Sequence, residues 1–371
     1  MAAVHRYVNN SVAGSGDGTT NGEGSGGTNA YIDLATWEAA EQTNLVTATD
    51  THTVHCSMGS TTSTLDDGCT IVGWTCSATY FVTVRGHDAD SPDQTNSGSG
   101  RNTTGLLDQV NYFTVNNGSF TQIELREASI VIENLQIVSS RSGGSNRGIT
   151  TNSAFTNEPV IRGNIFTETA GTSGTGIYLD NIFSSSTAHI YNNVFYGFNR
   201  AALFLDTAGA VNIYNNTMYD CDEALEIASS QSGTVTCKNN AMVNSGTTDM
   251  SDAGSATLDF DYNATDDPAS GTGDPRGTNG QDFNDDTALW DAAFTARGSS
   301  DFRIASTASL LYGTGISNAS DANVPTTDIL GELRTVWDIG AFAFAAAGSA
   351  VPTLSDGGLS GGFQPLFGGL N

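Results

Sequence analysis

The chain has 371 residues, with 13 Lys and Arg against 40 Asp and Glu, for a formal net charge of −27. A surface this acidic repels phosphates and anionic lipid, which excludes nucleic acid and acidic membrane surfaces as partners. No apolar run reaches the roughly 18 residues needed to cross a bilayer, while 38% hydrophobic content suffices for a packed core despite 43 glycines.

Met1–Ser11 holds His5, Arg6 and two asparagines and no apolar stretch, so no secretory leader is expected and synthesis is expected in cytoplasm. Residues 1–45 read as an N-terminal cap. Ser11–Asn29 is a Gly/Ser/Thr/Asn surface segment. Asp33–Gln42 reads as a short amphipathic helix with Asp33 as its N-cap and Leu34, Trp37 and Ala40 or Glu41 on one face. Such a helix is expected to plug the open end of a repeat structure. Cys56, Cys69, Cys76, Cys221 and Cys237 form an odd set without metal-ligand spacing. They are expected as free thiols, with one disulfide among the first three as the alternative. The five histidines are scattered and read as ordinary surface or strand residues.

Residues 46–345 carry the main signal. Pro159–Thr167, Ala188–Tyr196, Val211–Tyr219, Val235–Val243 and Leu258–Asp266 superimpose as repeats and put Asn164, Asn193, Asn216, Asn240 and Asn263 in one column. Successive members are 29, 23, 24 and 23 residues apart. A chain that returns to one lateral position at that period is a coil of short strands. Ile132, Ile161, Ile190, Ile213, Cys237 and Phe260 form an inward column. The next residues, Glu133, Arg162, Tyr191, Tyr214, Lys238 and Asp261, are expected to face outward, as strand alternation requires. Asn134, Gly163, Asn192, Asn215 and Asn239 follow, where a left-handed bend needs Asn or Gly. The asparagine column comes next and is expected to bond amide to amide at a spacing of roughly 4.8 Å. Ile149, Ile177, Leu203 and Leu225 begin a second strand column in the same rungs. Residues 346–371 are Gly-rich, with Phe363, Leu366, Phe367 and Leu370 spaced as anchors of a docking tail.

The stretches "HIYNNVFYGF" and "NIYNNTMYDC" resemble the rungs of the right-handed parallel β-helix superfamily. "SSDFRIASTASLLYGTGIS" and "TDILGELRTVWDIGAFAF" resemble its closing rungs, with a strand expected at Asp338–Ala341. "HRYVNNS" and "AYIDLATWEAAEQTN" resemble the start of β-helix proteins of bacteriophages. The resemblance implies an all-β right-handed parallel β-helix, or solenoid, with a short N-terminal capping helix and a non-rung C-terminal tail.

Many proteins of this superfamily are polysaccharide lyases or hydrolases. Lyases need a base, commonly near calcium, and Lys238 and Arg162 read as isolated cations. Hydrolases need paired carboxylates, and Asp180 and Asp206 stand at one register a rung apart. Asp259 and Asp261 are the metal candidates, for calcium, in a segment lacking the Gly and closing Glu of a calcium loop; no other cofactor is expected. Tyr178, Tyr191, Phe204 and Tyr214 form outward aromatic pairs suited to glycans or a neighbouring subunit. The resemblance therefore implies a non-enzymatic virion structural protein: a decoration protein, head fibre or spike. It would be made in bacterial host cytoplasm, be homo-oligomeric, with a trimer as one arrangement, join other virion proteins through its tail and contact host glycans. The alternative is a polysaccharide-degrading glycoside hydrolase or lyase using Asp180 and Asp206.

Overall fold

Each repeat bends at an Asn or Gly, and the computed structural model shows why. Asn134, Asn192, Asn215 and Asn239 hold φ between 51° and 60°, and Gly163 holds 68°. The structure describes residues 2–344 except 11–13, 23–25, 58–65, 67, 87–112, 117–119, 142–145, 153–157, 170, 172, 183, 244, 267–273, 285 and 300. The tail anchors Phe363, Leu366, Phe367 and Leu370 lie outside the described residues.

The chain is a parallel β-solenoid. Its strands stack into a first sheet of nine, a second of eight and a third of seven among the described residues. One rung runs from Ile130–Glu133 in the first sheet, through the Asn134–Leu135 bend, to Gln136–Ser139 in the second and Arg147–Thr151 in the third. The next rung starts at Val160–Arg162. The columns are in register: Ile132, Ile161, Ile190, Ile213, Cys237 and Phe260 pair in succession. So do Ile149, Ile177, Leu203 and Leu225.

The asparagine column is a continuous hydrogen-bonded ladder in the core. The Asn164 side-chain oxygen accepts from the Leu135 backbone N–H at 3.0 Å, and each later one accepts from the backbone N–H of the preceding ladder asparagine at 2.9–3.0 Å. It also accepts from that residue's amide nitrogen at 3.0–3.1 Å. The amides further donate to the carbonyls of Ile132, Ile161, Ile190, Ile213 and Cys237. The ladder residues are fully buried, so these bonds offset a desolvation cost that would otherwise exclude a polar column from the core. Beside it Phe166 and Phe195 stack at 4.7 Å. Gly176 leaves room for that stack, because a Cβ there would meet both Phe195 Cδ1 and the Ala202 carbonyl at 2.6 Å.

The N-terminal helix forms as Leu34–Glu41, with Asp33 accepting from the Thr36 N–H at 2.6 Å. Leu34 and Trp37 enter the core, and the helix packs on Cys69–Ile71, the first strand of the third sheet. Glu38, rather than Ala40 or Glu41, completes the buried face. The coil also begins earlier than expected, inside 1–45: Ala3–Asn9 pairs in parallel with Thr51–Ser57. All five cysteines are free thiols.

The C-terminal expectation of closing rungs is overturned. Asp338–Ala341 is not a strand, and residues from Phe283 to Phe342 build a second apolar core outside the coil. Phe283, Trp290, Phe294, Phe302, Leu311, Ile329, Ile339 and Phe342 cover Ile165, Val194, Ala241, Val243 and Ala264 of the second sheet. The physical reason is that these strands are apolar on both faces, as strands buried on both sides must be, so something has to cover the outer one.

Residues 311–342 form a strap across the row of bends. The Asn192 amide donates to the Thr327 carbonyl at 2.7 Å, and Asn215 donates to that of Asp338 at 2.9 Å. Asn239 accepts from Ile316 N–H at 2.8 Å and returns a bond to its carbonyl at 3.0 Å. The buried Arg334 guanidinium donates to Asn192 Oδ1 and to the carbonyls of Gly340 and Ala341 at 2.9–3.2 Å. The bend asparagines thus form the turn and also hold the strap.

Candidate functional site on the third sheet

The strap settles the outer column of the first sheet. Tyr214 is buried under it and donates to Asp321 Oδ2 at 3.0 Å; burial, with Asp321 beside it, raises its phenol pKa. Lys238 is not isolated: it pairs with Asp259 at 2.9 Å and Asp321 at 3.2 Å. Nor is Arg162, which bonds Glu133 at 2.6 Å and the Tyr191 hydroxyl at 2.8 Å. Glu133 is expected on the surface but is buried between Arg85 and Arg162. Burial would raise its carboxyl, but the two cations outweigh it and hold the pKa down at about 2.

The two metal candidates are engaged separately. Asp259 binds Lys238, while Asp261 accepts from the backbone and side-chain N–H groups of Asn279 at 2.7 and 2.8 Å. No group of three or more metal-ligating side chains occurs among the described residues.

The outer face of the third sheet is where the remaining candidates meet. Tyr178 and Phe204 are partners on adjacent strands, as are Asp180 and Asp206 two residues on. The two aromatic rings stack at 4.7 Å and 7°. Arg147 lies 3.7 Å over Tyr178, and Arg200 lies 4.1 Å over Phe204. Arg200 is fixed by both oxygens of Glu226 at 2.8 and 2.9 Å. This order, cation–ring–ring–cation, occupies the ring faces that a sugar would use. The stacking role expected for Tyr178 and Phe204 is therefore filled by the protein's own arginines, and that expected for Tyr214 by the strap. Tyr191 stays half-buried beside Arg162.

Asp180 and Asp206 stand side by side, at a strand spacing of about 4.8 Å. Asp206 accepts from the Tyr178 hydroxyl at 3.2 Å and from Ser230. Burial, then the neighbouring Asp206 charge, raises the Asp180 pKa, with Arg147 opposing. Environments that favour a proton on one carboxyl and hydrogen-bond the other suit an acid and a nucleophile, the paired-carboxylate arrangement that glycosidases use. Sequence reasoning found the pair, and the neighbouring acidic residue Glu226 that pairs in register with Phe204, but missed Arg147 and Arg200, which share no register position with either ring.

No protein-family model matches the chain, and no curated protein matches it in sequence.

Proposed function

We propose that this protein is a rigid structural component of a bacteriophage virion, a decoration protein, fibre or spike. The observation that carries the scaffold part is the buried asparagine ladder, unbroken from Asn164 to Asn263, clasped outside by the strap. A coil bonded rung to rung in its core and held across its bends resists bending along that span, which suits a projecting element. The virion part rests on the resemblance of the N-terminal segments to phage β-helix proteins. Glycans at this face would be read by the Asp180 and Asp206 carboxylates and by hydroxyls, because the ring faces and Glu226 are occupied. Antibody raised against the purified protein should decorate phage particles prepared from the producing culture. Recovery of the protein only in the particle-free fraction refutes the assignment.

The Asp180–Asp206 geometry favours one second reading, a glycoside hydrolase. Reducing ends released from a polysaccharide panel, and lost in both Asp180→Asn and Asp206→Asn, would establish it. An inactive wild type, or activity that survives both changes, removes it.

A further inference from the structure

Three of the five histidines sit on the first two strands of the coil, and their contacts require a neutral ring at His52 and at one member of the His5–His55 pair. His52 points inward. Its column runs Val4, His52, Val82, Ile130, so it takes a place that neighbouring rungs give to aliphatic side chains. The ring is buried, and its Nε2 accepts from Trp37 Nε1 at 3.1 Å. Trp37 belongs to the capping helix, and Trp74 meets His52 edge-on at 4.9 Å. Trp74 Nε1 finds no acceptor among the described residues. A proton on His52 Nε2 would remove the acceptor that ties the helix to the strand and put a charge into an indole-lined core.

The outer side of the same strands repeats the condition. His5 Nδ1 lies 3.0 Å from His55 Nε2, with the rings stacked at 5.2 Å. One nitrogen of that pair must accept, so both rings cannot carry a proton on it. Tyr7 stacks on His55, and Arg85, the register partner of His55, adds a fixed positive charge. Arg85 is already paired with Glu133. The charged groups that act on His52 are Glu41 on the helix and Arg6 and His5 on the first strand; Glu41 and Arg6 bond each other at 2.6 Å. Glu38 on the helix is committed to Gln42 and the Val72 N–H.

We infer that the N-terminal end of the solenoid is an acid-operated clasp: protonation of His52, with the His5–His55 pair, releases the helix Leu34–Glu41 and the strand Ala3–Asn9 and uncovers the apolar end of the coil. The occupants of that end, Leu34, Trp37, Val54, Cys56 and Trp74, are buried when the clasp is shut. The strand Thr51–Ser57 would then present a free parallel edge, a template for pairing with another chain.

The pH window follows from the sign of the shifts. Burial lowers the His52 pKa to about 4, against the opposing charge of Glu41. Burial and Arg85 lower that of His5. A group with a depressed folded value takes its proton more readily in the open state. The clasp is therefore fully stabilised above a pH of about 6.5 and weakens as pH falls toward 4, with His52 alone shifting the opening equilibrium by about tenfold per pH unit.

The test is hydrogen exchange of the full-length protein from pH 7.5 to 4.5, corrected for the intrinsic rate. Protection in peptides covering Ala3–Ser57 should fall by one to two powers of ten, while peptides covering Ile130–Tyr219 hold theirs. His52→Gln keeps an acceptor for Trp37 and cannot titrate; it should flatten most of the response. Unchanged N-terminal protection, loss in step with the central rungs, or an unaltered response in His52→Gln overturns the inference. Should that variant not fold, an NMR titration of the wild type decides: signals of the helix Leu34–Glu41 that change in step with protonation of the His52 ring uphold it, and a ring that titrates near 6.5 or without any change in the helix overturns it.

Discussion

Replacing Asn216 by alanine removes one member of the ladder from its middle. Its amide donates to the Ile190 and Tyr214 carbonyls at 3.0 and 3.1 Å and to Asn240 Oδ1 at 3.0 Å. Its oxygen receives the Asn193 backbone N–H at 2.9 Å and the Asn193 amide at 3.0 Å. The Asn193 amide keeps its bonds to the Ile161 and Tyr191 carbonyls, so the principal orphan is the Asn193 backbone N–H. A buried orphan donor costs about 1–3 kcal/mol, and each lost bond about 0.5–1.5 kcal/mol, so a loss of about 3–5 kcal/mol is expected. Asn216→Asp is the sharper variant. It keeps the acceptor and nearly the same volume, but faces Asn240 Oδ1 with an oxygen and leaves a buried charge. Packing arguments make aspartate the milder change; ladder direction makes it at least as damaging as alanine at pH 7. Unfolding rates in denaturant provide the assay, because a solenoid need not unfold in two states. An alanine variant that unfolds within fivefold of the parent, or an aspartate variant milder than alanine, would refute the ladder as the main source of core stability.

Other outcomes follow from single contacts. Glu133→Gln strips the shared partner from Arg85 and Arg162 and should destabilise by about 3–5 kcal/mol at pH 7, read by denaturant midpoint. Since the folded pKa of Glu133 is depressed to about 2, its contribution is complete above about 4.5 and drains away as pH falls toward 2, so the gap between parent and variant should close over that interval. Arg334→Met removes the donor joining Asn192 to the Gly340 and Ala341 carbonyls; exchange in residues 311–342 should quicken by at least about 30-fold while the ladder rungs stay protected. Gly176→Ala forces a Cβ against a carbonyl that cannot move aside and should lose about 1–3 kcal/mol, visible as a lower melting temperature.

The inner architecture was legible because it repeats. Column after column shares one period, and the asparagines identify both the bend and the residue after it. The helix cap at Asp33 was legible for a local reason, since an N-cap and its face lie within one segment. The strap was not, because its bonds run from bend side chains to backbone carbonyls, which carry no residue code. A weaker sign was present. The second-sheet pairs Ile165–Phe166 and Val194–Phe195 and the run Ala241–Val243 are apolar at consecutive positions, which one-sided burial does not require. The inward place of His52 is hidden for a related reason: the repeat is plain in the sequence only from Ile130 onward, and the pairing of His52 with Val4 and Val82 lies in the irregular first rungs.

The covering of one face directs attention to another. The second sheet's outer surface is sealed by an apolar core, and the bends beside it are occupied by the strap. Part of the first sheet's outer column is spent on Glu133 between two arginines and on Tyr214 against Asp321. The third sheet instead carries an ordered polar surface in which the arginines are committed to ring faces and to Glu226, while Asp180 keeps a raised pKa beside Asp206. A chain with formal charge −27 has no general need to set two carboxylates in register on adjacent strands, where they repel. That repulsion is a cost of folding which the scaffold could have avoided with Asn or Ser at either position. The pair is therefore the place where a structural scaffold and a glycan-processing surface make different demands on the same two residues, and where substitution separates them.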